Sequence, residues 1–127
     1  MFNINQLHHV SFLVTNTARA LGFYRDVLGL AVDMSRPDLG YAGAWLQLSN
    51  TPNGGQIHLL ELPNPDPCEG RPAHGGHDRH VAFAMRDLDG LIQRLEQHQI
   101  GYTLSRSRRA LFCRDPDGNA LEFIELT

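Results

Sequence analysis

The sequence repeats itself in two registers, and this repeat restricts the possible folds more than any other feature. At an offset of 71 residues, His9-Val10-x-Phe12 falls on His80-Val81-x-Phe83. At an offset of 64 residues, residues 57–62 fall on residues 121–126. Self-similarity of this kind indicates two copies of one supersecondary unit. We therefore predict two modules, each with one strand, one helix and three further strands.

Polarity patterns locate the elements of each module. Residues 7–14 alternate in polarity, as a half-buried strand does, and apolar residues at helical spacing follow a cap at Asn16 or Thr17. The first helix is expected to end at Gly29; the second begins after Asp87 and is expected to end at Gly101. The other predicted strands are residues 31–34, 44–49, 56–62, 79–85, 102–105, 110–114 and 119–126, with turns at residues 36–40 and 50–55. The chain is thus predicted to have an α+β fold.

A segment rich in proline and glycine separates the two copies. We predict module one at about residues 7–62, a linker at residues 63–78 and module two at about residues 79–126, all within a single domain of residues 1–127. A loop of about sixteen residues is long enough to have a role of its own. It is either a lid or connector of functional importance, or a surface tether.

The repeat relates four polar residues to one another. His9 and His80 each lie at the head of a first strand, whereas His58 and Glu122 each lie in a last strand. Imidazole and carboxylate are ligands that suit Zn, Ni, Mn, Co or Fe. Four such positions related by a repeat are hard to explain by packing alone. The sequence therefore predicts a site for a divalent metal ion.

The number of ligands decides what kind of site this is. Glu122 is expected on the same face of its strand as Ile124 and Leu126, and a carboxylate on an apolar face is costly to bury without a partner. Two or three histidines with one carboxylate leave coordination positions open, as in catalytic rather than structural sites. A set of three ligands without His58 would also be complete, so the role of His58 stays open.

Other charged residues offer weaker candidates. Arg106, Arg108 and Arg109 precede the strand that leads to Glu122. They either clamp an anionic substrate, with Arg109 as the candidate contact, or form a solvated hairpin. Glu61 and Glu125, on the opposite face of their strands, are expected at the surface.

Composition excludes several classes of function. Hydrophobic residues make up 42% and charged residues 20% of 127 residues, as in ordinary globular proteins. The net charge of -3 argues against a nucleic-acid or membrane-surface partner. There is no apolar run near 18 residues and no signal-peptide pattern, so we expect a cytoplasmic protein. Cys68 and Cys113 do not suggest a disulfide framework.

Three stretches resemble the glyoxalase, bleomycin-resistance and extradiol-dioxygenase superfamily, whose members are also called vicinal oxygen chelate proteins. These stretches are His8-His9-Val10-x-Phe12, residues 22–30, and Asp115-Pro116-Asp117-Gly118-Asn119-x-x-Glu122. The resemblance covers about residues 7–126 and is nearest in pattern to glyoxalase I-like proteins. It implies two tandem βαβββ modules that form a curved mixed sheet around a metal cleft, and a homodimer.

The same resemblance suggests what the site does. His9, His58, His80 and Glu122 fall where glyoxalase I enzymes have four metal ligands. It therefore implies a metal-dependent lyase or isomerase acting on a small oxygen-chelating substrate, with the proton moved by Glu122 or by a water that it orients. Two alternatives stay open: an Fe(II) dioxygenase or thiol transferase that uses three of these ligands, and a non-catalytic protein that binds a drug or metabolite.

One departure from the glyoxalase I pattern bears on the substrate. Those enzymes tend to carry Arg four residues after the first ligand and Asn four residues after the second, both for glutathione. Leu13 and Leu62 occupy these positions here. The resemblance therefore does not imply glutathione specificity, and Leu13, Leu60 and Leu62 predict an apolar pocket wall for the substrate.

Overall fold

The computed structural model describes residues 1–49 and 54–127, so most of the turn predicted at residues 50–55 lies outside the described residues. The chain forms two compact units, Met1–Pro63 and Asn64–Thr127. Each unit contains one four-stranded mixed sheet and one α-helix. The predicted α+β class, with a βαβββ order in each half, is confirmed.

The first unit follows the predicted order of elements. Its elements are β1 (His9–Leu13), α1 (Thr17–Tyr24), β2 (Ala31–Val32), β3 (Gly43–Gln47) and β4 (Gln56–Leu60). The strand order in the sheet is β1-β4-β3-β2. Strand β1 is parallel to β4, and the other neighbours are antiparallel.

The second unit repeats this arrangement. Its elements are β5 (His80–Met85), α2 (Leu88–Gln97), β6 (Tyr102–Leu104), β7 (Ala110–Arg114) and β8 (Ala120–Glu125). The strand order is β5-β8-β7-β6, and only the β5–β8 pair among these is parallel. Between the two βαβββ motifs, residues 64–79 contain a single 3-10 turn, Gly75–His77.

The strand registers confirm both offsets of the sequence repeat. In the first unit Ser11 is the cross-strand partner of His58, and in the second Ala82 is the partner of Glu122. Ser11 and Ala82 are related by the 71-residue offset, and His58 and Glu122 by the 64-residue offset. The halves are therefore repeats at the level of backbone hydrogen bonding, and equivalent residues occupy equivalent points of the two sheets.

Both helices start at a side-chain cap, and these caps also repeat. Asn16 Oδ1 accepts a hydrogen bond from the backbone N–H of Arg19 over 2.9 Å. Asp87 Oδ1 accepts one from the N–H of Gly90 over 3.0 Å. Such caps satisfy N–H groups that a helix start leaves without partners. Of the two predicted cap candidates for α1, the structure selects Asn16.

Glu61 and Glu125 are not the simple surface residues that we expected. Glu61 Oε1 accepts a hydrogen bond from the N–H of Thr17 over 2.7 Å, and Glu125 Oε2 accepts one from the N–H of Leu88 over 3.0 Å. A carboxylate at a helix N-terminus also interacts favourably with the helix dipole. Each last strand thus binds the start of its own module's helix.

The core lies on the helix side of each sheet. The largest fully buried side chains are Tyr24, Leu46, Ile57, Leu59, Leu88, Leu95, Leu111 and Leu121. In β8, alternation puts Leu121 and Phe123 on the face of Glu125, which contacts α2, and leaves Glu122 on the other face. The expectation that Glu122 lies on the main apolar face of its strand was wrong, because that face carries Leu121 and Phe123 instead.

Helix ends differ from the sequence prediction. Helix α1 ends at Tyr24, after which turn hydrogen bonds continue to Gly29, whose φ is +74°. Helix α2 ends at Gln97, and Gln99 takes a positive φ of 57° before Gly101. Each predicted glycine stop therefore follows a short turn rather than the helix itself.

Candidate metal centre

The second unit brings His80 and Glu122 together. His80 lies at the start of β5, two residues before Ala82. Ala82 is the cross-strand partner of Glu122, which lies on the parallel strand β8. The His80 Nε2 and Glu122 Oε1 atoms are 3.1 Å apart. Glu122 is only 2% exposed, so its carboxylate needs hydrogen-bond donors or a paired charge.

Asp78 fixes the orientation of the His80 ring. The His80 Nδ1 atom lies 2.9 Å from the backbone carbonyl oxygen of Asp78. Because a carbonyl oxygen can only accept a hydrogen bond, Nδ1 carries the proton and donates it. Nε2 is therefore the atom through which His80 would bind a metal, with a backbone carbonyl behind it as is usual for metal-binding histidines.

Asp78 is itself held by two arginines. Its carboxylate lies 2.6 Å from Arg71 Nη2 and 2.9 Å from Arg114 Nη1. The hydrogen bond from Arg71, together with that from Arg114, holds the pKa of the Asp78 carboxyl well below its usual range. Arg114 also donates to the carbonyl oxygens of Pro72 and Gly118. The segment that leads into β5 is thereby tied to the turn that leads into β8.

That turn sets the register of β8. Asp115, which is 4% exposed, accepts hydrogen bonds through Oδ1 from the N–H groups of Asp117 and Asn119, each over 2.9 Å. Gly118 takes a φ of +88°, a conformation that favours glycine. The closed turn pairs Arg114 with Ala120, and alternation then points Glu122 to the face of His80.

The first unit brings His9 and His58 together in a different way. Their rings stack with centroids 3.9 Å apart, and Trp45 stacks on the other side of His58 at 4.4 Å. Trp45 is the cross-strand partner of His58 on β3. The His9 Nδ1 atom also lies 2.9 Å from His8 Nδ1. His58 is thus held flat between two aromatic rings.

Gln56 fixes the protonation of the His58 ring nitrogens. Its amide nitrogen donates to Asp33 Oδ2 and to Gln47 Oε1, each over 2.8 Å. Its Oε1 atom is therefore the group that faces His58 Nε2, over 2.9 Å, and Nε2 donates. The nitrogen of a neutral His58 that keeps a free electron pair in this arrangement is Nδ1.

His58 is neutral at pH 7. Burial, followed by the charges of His9 and His8, lowers the pKa of His58 from 6.5 to about 4. Metal-binding imidazoles must be unprotonated at the ligating nitrogen, so a low pKa removes the competition between proton and metal. His58 meets this condition without a metal present.

The three arginines of the predicted cluster separate. Arg108, on the hairpin between β6 and β7, donates a hydrogen bond to Glu122 Oε2. Arg109 turns to the other face and lies 2.9 Å from Asp89 and 3.0 Å from Glu125. Of the two, Arg108 contacts a predicted ligand, whereas a substrate contact of Arg109 stays a prediction. The alternation of neighbouring residues at a strand start is the signal that could have separated them.

The leucines of the predicted pocket wall lie at the ends of the first unit's parallel strands. Leu13 pairs with Leu60 at the end of the β1–β4 ladder, and both are partly buried. Leu62 lies beyond β4 and is 37% exposed. Their contact with a substrate stays a prediction.

The donor types in the two pairs fit a divalent metal ion. Within residues 1–49 and 54–127, no group of three or more His, Cys, Asp or Glu side chains is close enough together to hold a metal. The first unit supplies two imidazoles, one of them neutral and buried, and the second supplies an imidazole and a buried carboxylate. These are the nitrogen and oxygen donors that Zn, Mn, Fe, Co and Ni accept.

Comparison with known proteins identifies the family. The profile of the Glyoxalase/Bleomycin resistance protein/Dioxygenase superfamily matches residues 6–123, and the chain belongs to this superfamily. YaeR of Escherichia coli (strain K12) is 30% identical over 98% of this chain and 99% of its own length. Glyoxylase I 4 of Arabidopsis thaliana is 31% identical over 94% of this chain and 70% of its own. Lactoylglutathione lyase of Haemophilus influenzae is 27% identical over 94% of this chain and 92% of its own length.

Solved structures show the same fold. A glyoxalase family protein from Bacillus anthracis superimposes over the whole of both chains with a TM-score of 0.80 and 24% identity. A point mutant of the fosfomycin resistance protein FosX from Listeria monocytogenes, in complex with Mn(II) and 1S,2S-dihydroxypropylphosphonic acid, has a TM-score of 0.75 and 17% identity over 98% of this chain and 95% of that one. In the part of the present chain that the structure describes, no helix is long and apolar enough to cross a membrane.

Proposed function

We propose that this protein is a divalent-metal-dependent lyase or isomerase of the glyoxalase type, acting on a small substrate that chelates the metal through oxygen atoms. The observation that carries the proposal is the equivalence of His9 with His80 and of His58 with Glu122 in the registers of the two sheets. Membership of the superfamily, with relatives named glyoxylase and lactoylglutathione lyase, supports the reaction class.

His9, His58, His80 and Glu122 are the proposed ligands of Zn, Ni, Mn, Co or Fe. A metal ion bound there supplies a Lewis acid that polarises a substrate oxygen and stabilises a developing oxyanion. The His80 ring presents Nε2 because Asp78 holds Nδ1–H. The Glu122 carboxylate, or a water that it orients, takes a proton from the carbon next to the substrate carbonyl and returns it to the neighbouring carbon.

A direct absorbance assay tests the reaction class. Metal-loaded protein is incubated with methylglyoxal adducts of several small thiols, and thioester formation is followed by absorbance. We expect turnover with at least one thiol, lost in Glu122→Gln and retained in Glu125→Gln, which alters the opposite face of the same strand. If fully loaded protein leaves every adduct unchanged, the glyoxalase-type reaction is excluded and metal binding is not.

A three-ligand enzyme is the second candidate, and the contacts of His58 favour it. Its Nε2–H is engaged by Gln56 and its ring is stacked on both faces, so His58 already has a structural role. His9, His80 and Glu122 would then form the two-histidine, one-carboxylate set of non-haem Fe(II) oxygenases, or the site of a thiol transferase. In this case His58→Ala keeps both metal and activity; loss of both contradicts it.

Three further properties remain part of the proposal. They are a homodimer, a cytoplasmic location and an apolar substrate wall at Leu13, Leu60 and Leu62.

A further inference from the structure

Arg108 contacts the carboxylate oxygen of Glu122 that His80 does not use. Its Nη2 atom donates to Glu122 Oε2, whereas His80 Nε2 faces Oε1. We propose that Arg108 is the resident counter-ion of Glu122 in the metal-free protein, and that a divalent cation must displace it to bind. This inference rests on the proposed function, because it takes Glu122 to be a metal ligand.

The burial of Glu122 explains why a counter-ion is needed. Its side chain is 3% exposed, so water cannot solvate the charge, and an ionised carboxylate in such a place requires a paired charge or hydrogen-bond donors. The guanidinium group of Arg108 provides both the paired charge and the hydrogen-bond donors. The pair therefore places a positive charge against the Glu122 carboxylate before any metal arrives.

The surroundings of Arg108 allow it to leave. Its side chain is 55% exposed, so a released guanidinium is hydrated at once. The backbone of the hairpin is held independently, because Ser105 N–H donates to the carbonyl oxygen of Ala110 over 2.9 Å and Arg109 is bound by Asp89 and Glu125. Release of Arg108 thus requires rotation of one side chain and no rearrangement of the sheet.

The competition has a consequence for metal affinity. If Arg108 is bound to Glu122 for most of the time, the apparent affinity for metal falls in proportion to the fraction of molecules in which Glu122 is free. A free fraction of about 1–10% weakens the apparent affinity about 10- to 100-fold. Arg108 therefore sets a threshold of metal concentration below which the site stays filled by the arginine.

The test is titration of metal-free full-length protein with Co²⁺, followed by calorimetry. The variants are Arg108→Gln and, as a matched control, Arg106→Gln, which removes the same charge from the same hairpin. We expect Arg108→Gln to bind Co²⁺ about 10-fold more tightly than wild type or more. Arg106→Gln, which differs from wild type only in a screened surface charge, should stay within about 2-fold.

Thermal melting gives an independent readout. Metal-free Arg108→Gln should melt at a lower temperature than metal-free Arg106→Gln, and saturating Co²⁺ should remove that difference. Equal affinities in the two variants, or weaker binding by Arg108→Gln, overturn this inference alone and leave the metal site intact. Absence of Co²⁺ uptake by wild type and by both variants overturns the proposed function and this inference together.

Discussion

His80 Nε2 lies 3.1 Å from Glu122 Oε1, across the two parallel strands β5 and β8. Two separate devices bring these atoms to one place: the carbonyl oxygen of Asp78 orients the His80 ring, and the turn at Asp115 sets the register of Glu122. A mutation can therefore disturb the pair directly or through either support.

Replacing Glu122 by Gln should remove metal binding while keeping the fold. The amide has nearly the same shape but no charge, and Gln is a poor ligand for divalent metals that prefer carboxylate. We expect the affinity for Co²⁺ to fall by more than about 100-fold, since changes even in groups that only support ligands typically cost 10- to 100-fold. Calorimetric titration measures it, with Glu125→Gln as the control; equal affinity in Glu122→Gln and wild type would show that Glu122 is no ligand.

Replacing Asp78 by Asn should destabilise the second unit and loosen His80. The substitution leaves Arg71 and Arg114 without the carboxylate that joins them. The matched control is Asp66→Asn, which breaks the ion pair with Arg79, whose two side chains are 46% and 67% exposed. Urea unfolding should show a clearly larger loss for Asp78→Asn, because exposed pairs contribute little.

The pH dependence of the same variant follows from the depressed pKa of Asp78. A carboxyl with a lowered pKa in the folded state contributes stability above its ordinary pKa of 3.8. That contribution is lost as the pH falls below 3.8 and the unfolded chain takes up the proton first. Wild type and Asp78→Asn should therefore converge in stability below pH 3.8; a constant difference between them from pH 7 to pH 2 would contradict this origin.

Removing the helix-binding carboxylates should weaken each module separately. Glu61→Ala and Glu125→Ala each leave a helix N-terminal N–H without its partner. We expect a loss of about 1 kcal/mol for each, as for other cap residues, or a fall of about 4 °C in melting temperature. The exposed Glu69 in the loop before β5 gives the control variant Glu69→Ala, which should change the melting temperature by much less. Equal effects of all three variants would mean that the two helix contacts contribute nothing.

Protonation of His58 should destabilise the metal-free protein in mild acid. The unfolded chain binds a proton at a His with a pKa of 6.5, whereas folded His58 does so only near pH 4. Stability from this group is complete above pH 6.5, falls between pH 6.5 and pH 4, and falls no further below. Denaturation of His58→Gln should show a shallower decline across this window; identical slopes in the variant and wild type would contradict the lowered pKa.

The repeat made much of this fold predictable from the sequence. Because residues 7–62 and 79–126 share one pattern, each weak strand signal in one half was supported by its counterpart in the other. The two offsets agree with the strand registers around His58 and Glu122. The same offsets also relate Thr17 to Leu88 and Glu61 to Glu125, so the helix contacts of both glutamates were present in the sequence as a repeated pair.

Side-chain contacts between loops were not predictable in this way. The Asp78 cluster joins Asp78 to Arg71, 7 residues away, and to Arg114, 36 residues away, and the repeat gives these charged residues no charged counterparts in the first half. The choice between Arg108 and Arg109 depends on where β7 begins, and strand ends are the least certain part of a sequence prediction. The role of Gln56 as the partner of His58 requires the tautomer, which no sequence pattern encodes.

The central claim is that His9, His58, His80 and Glu122 bind one divalent metal ion. X-ray absorption of the protein loaded with one equivalent of Co²⁺ tests it most directly, because the spectrum counts imidazole ligands. We predict three imidazoles in wild type and two in each of His9→Ala, His58→Ala and His80→Ala. The control His98→Ala, at the residue that follows helix α2, should keep three. A spectrum with no imidazole, or one that none of these substitutions changes, would contradict the account.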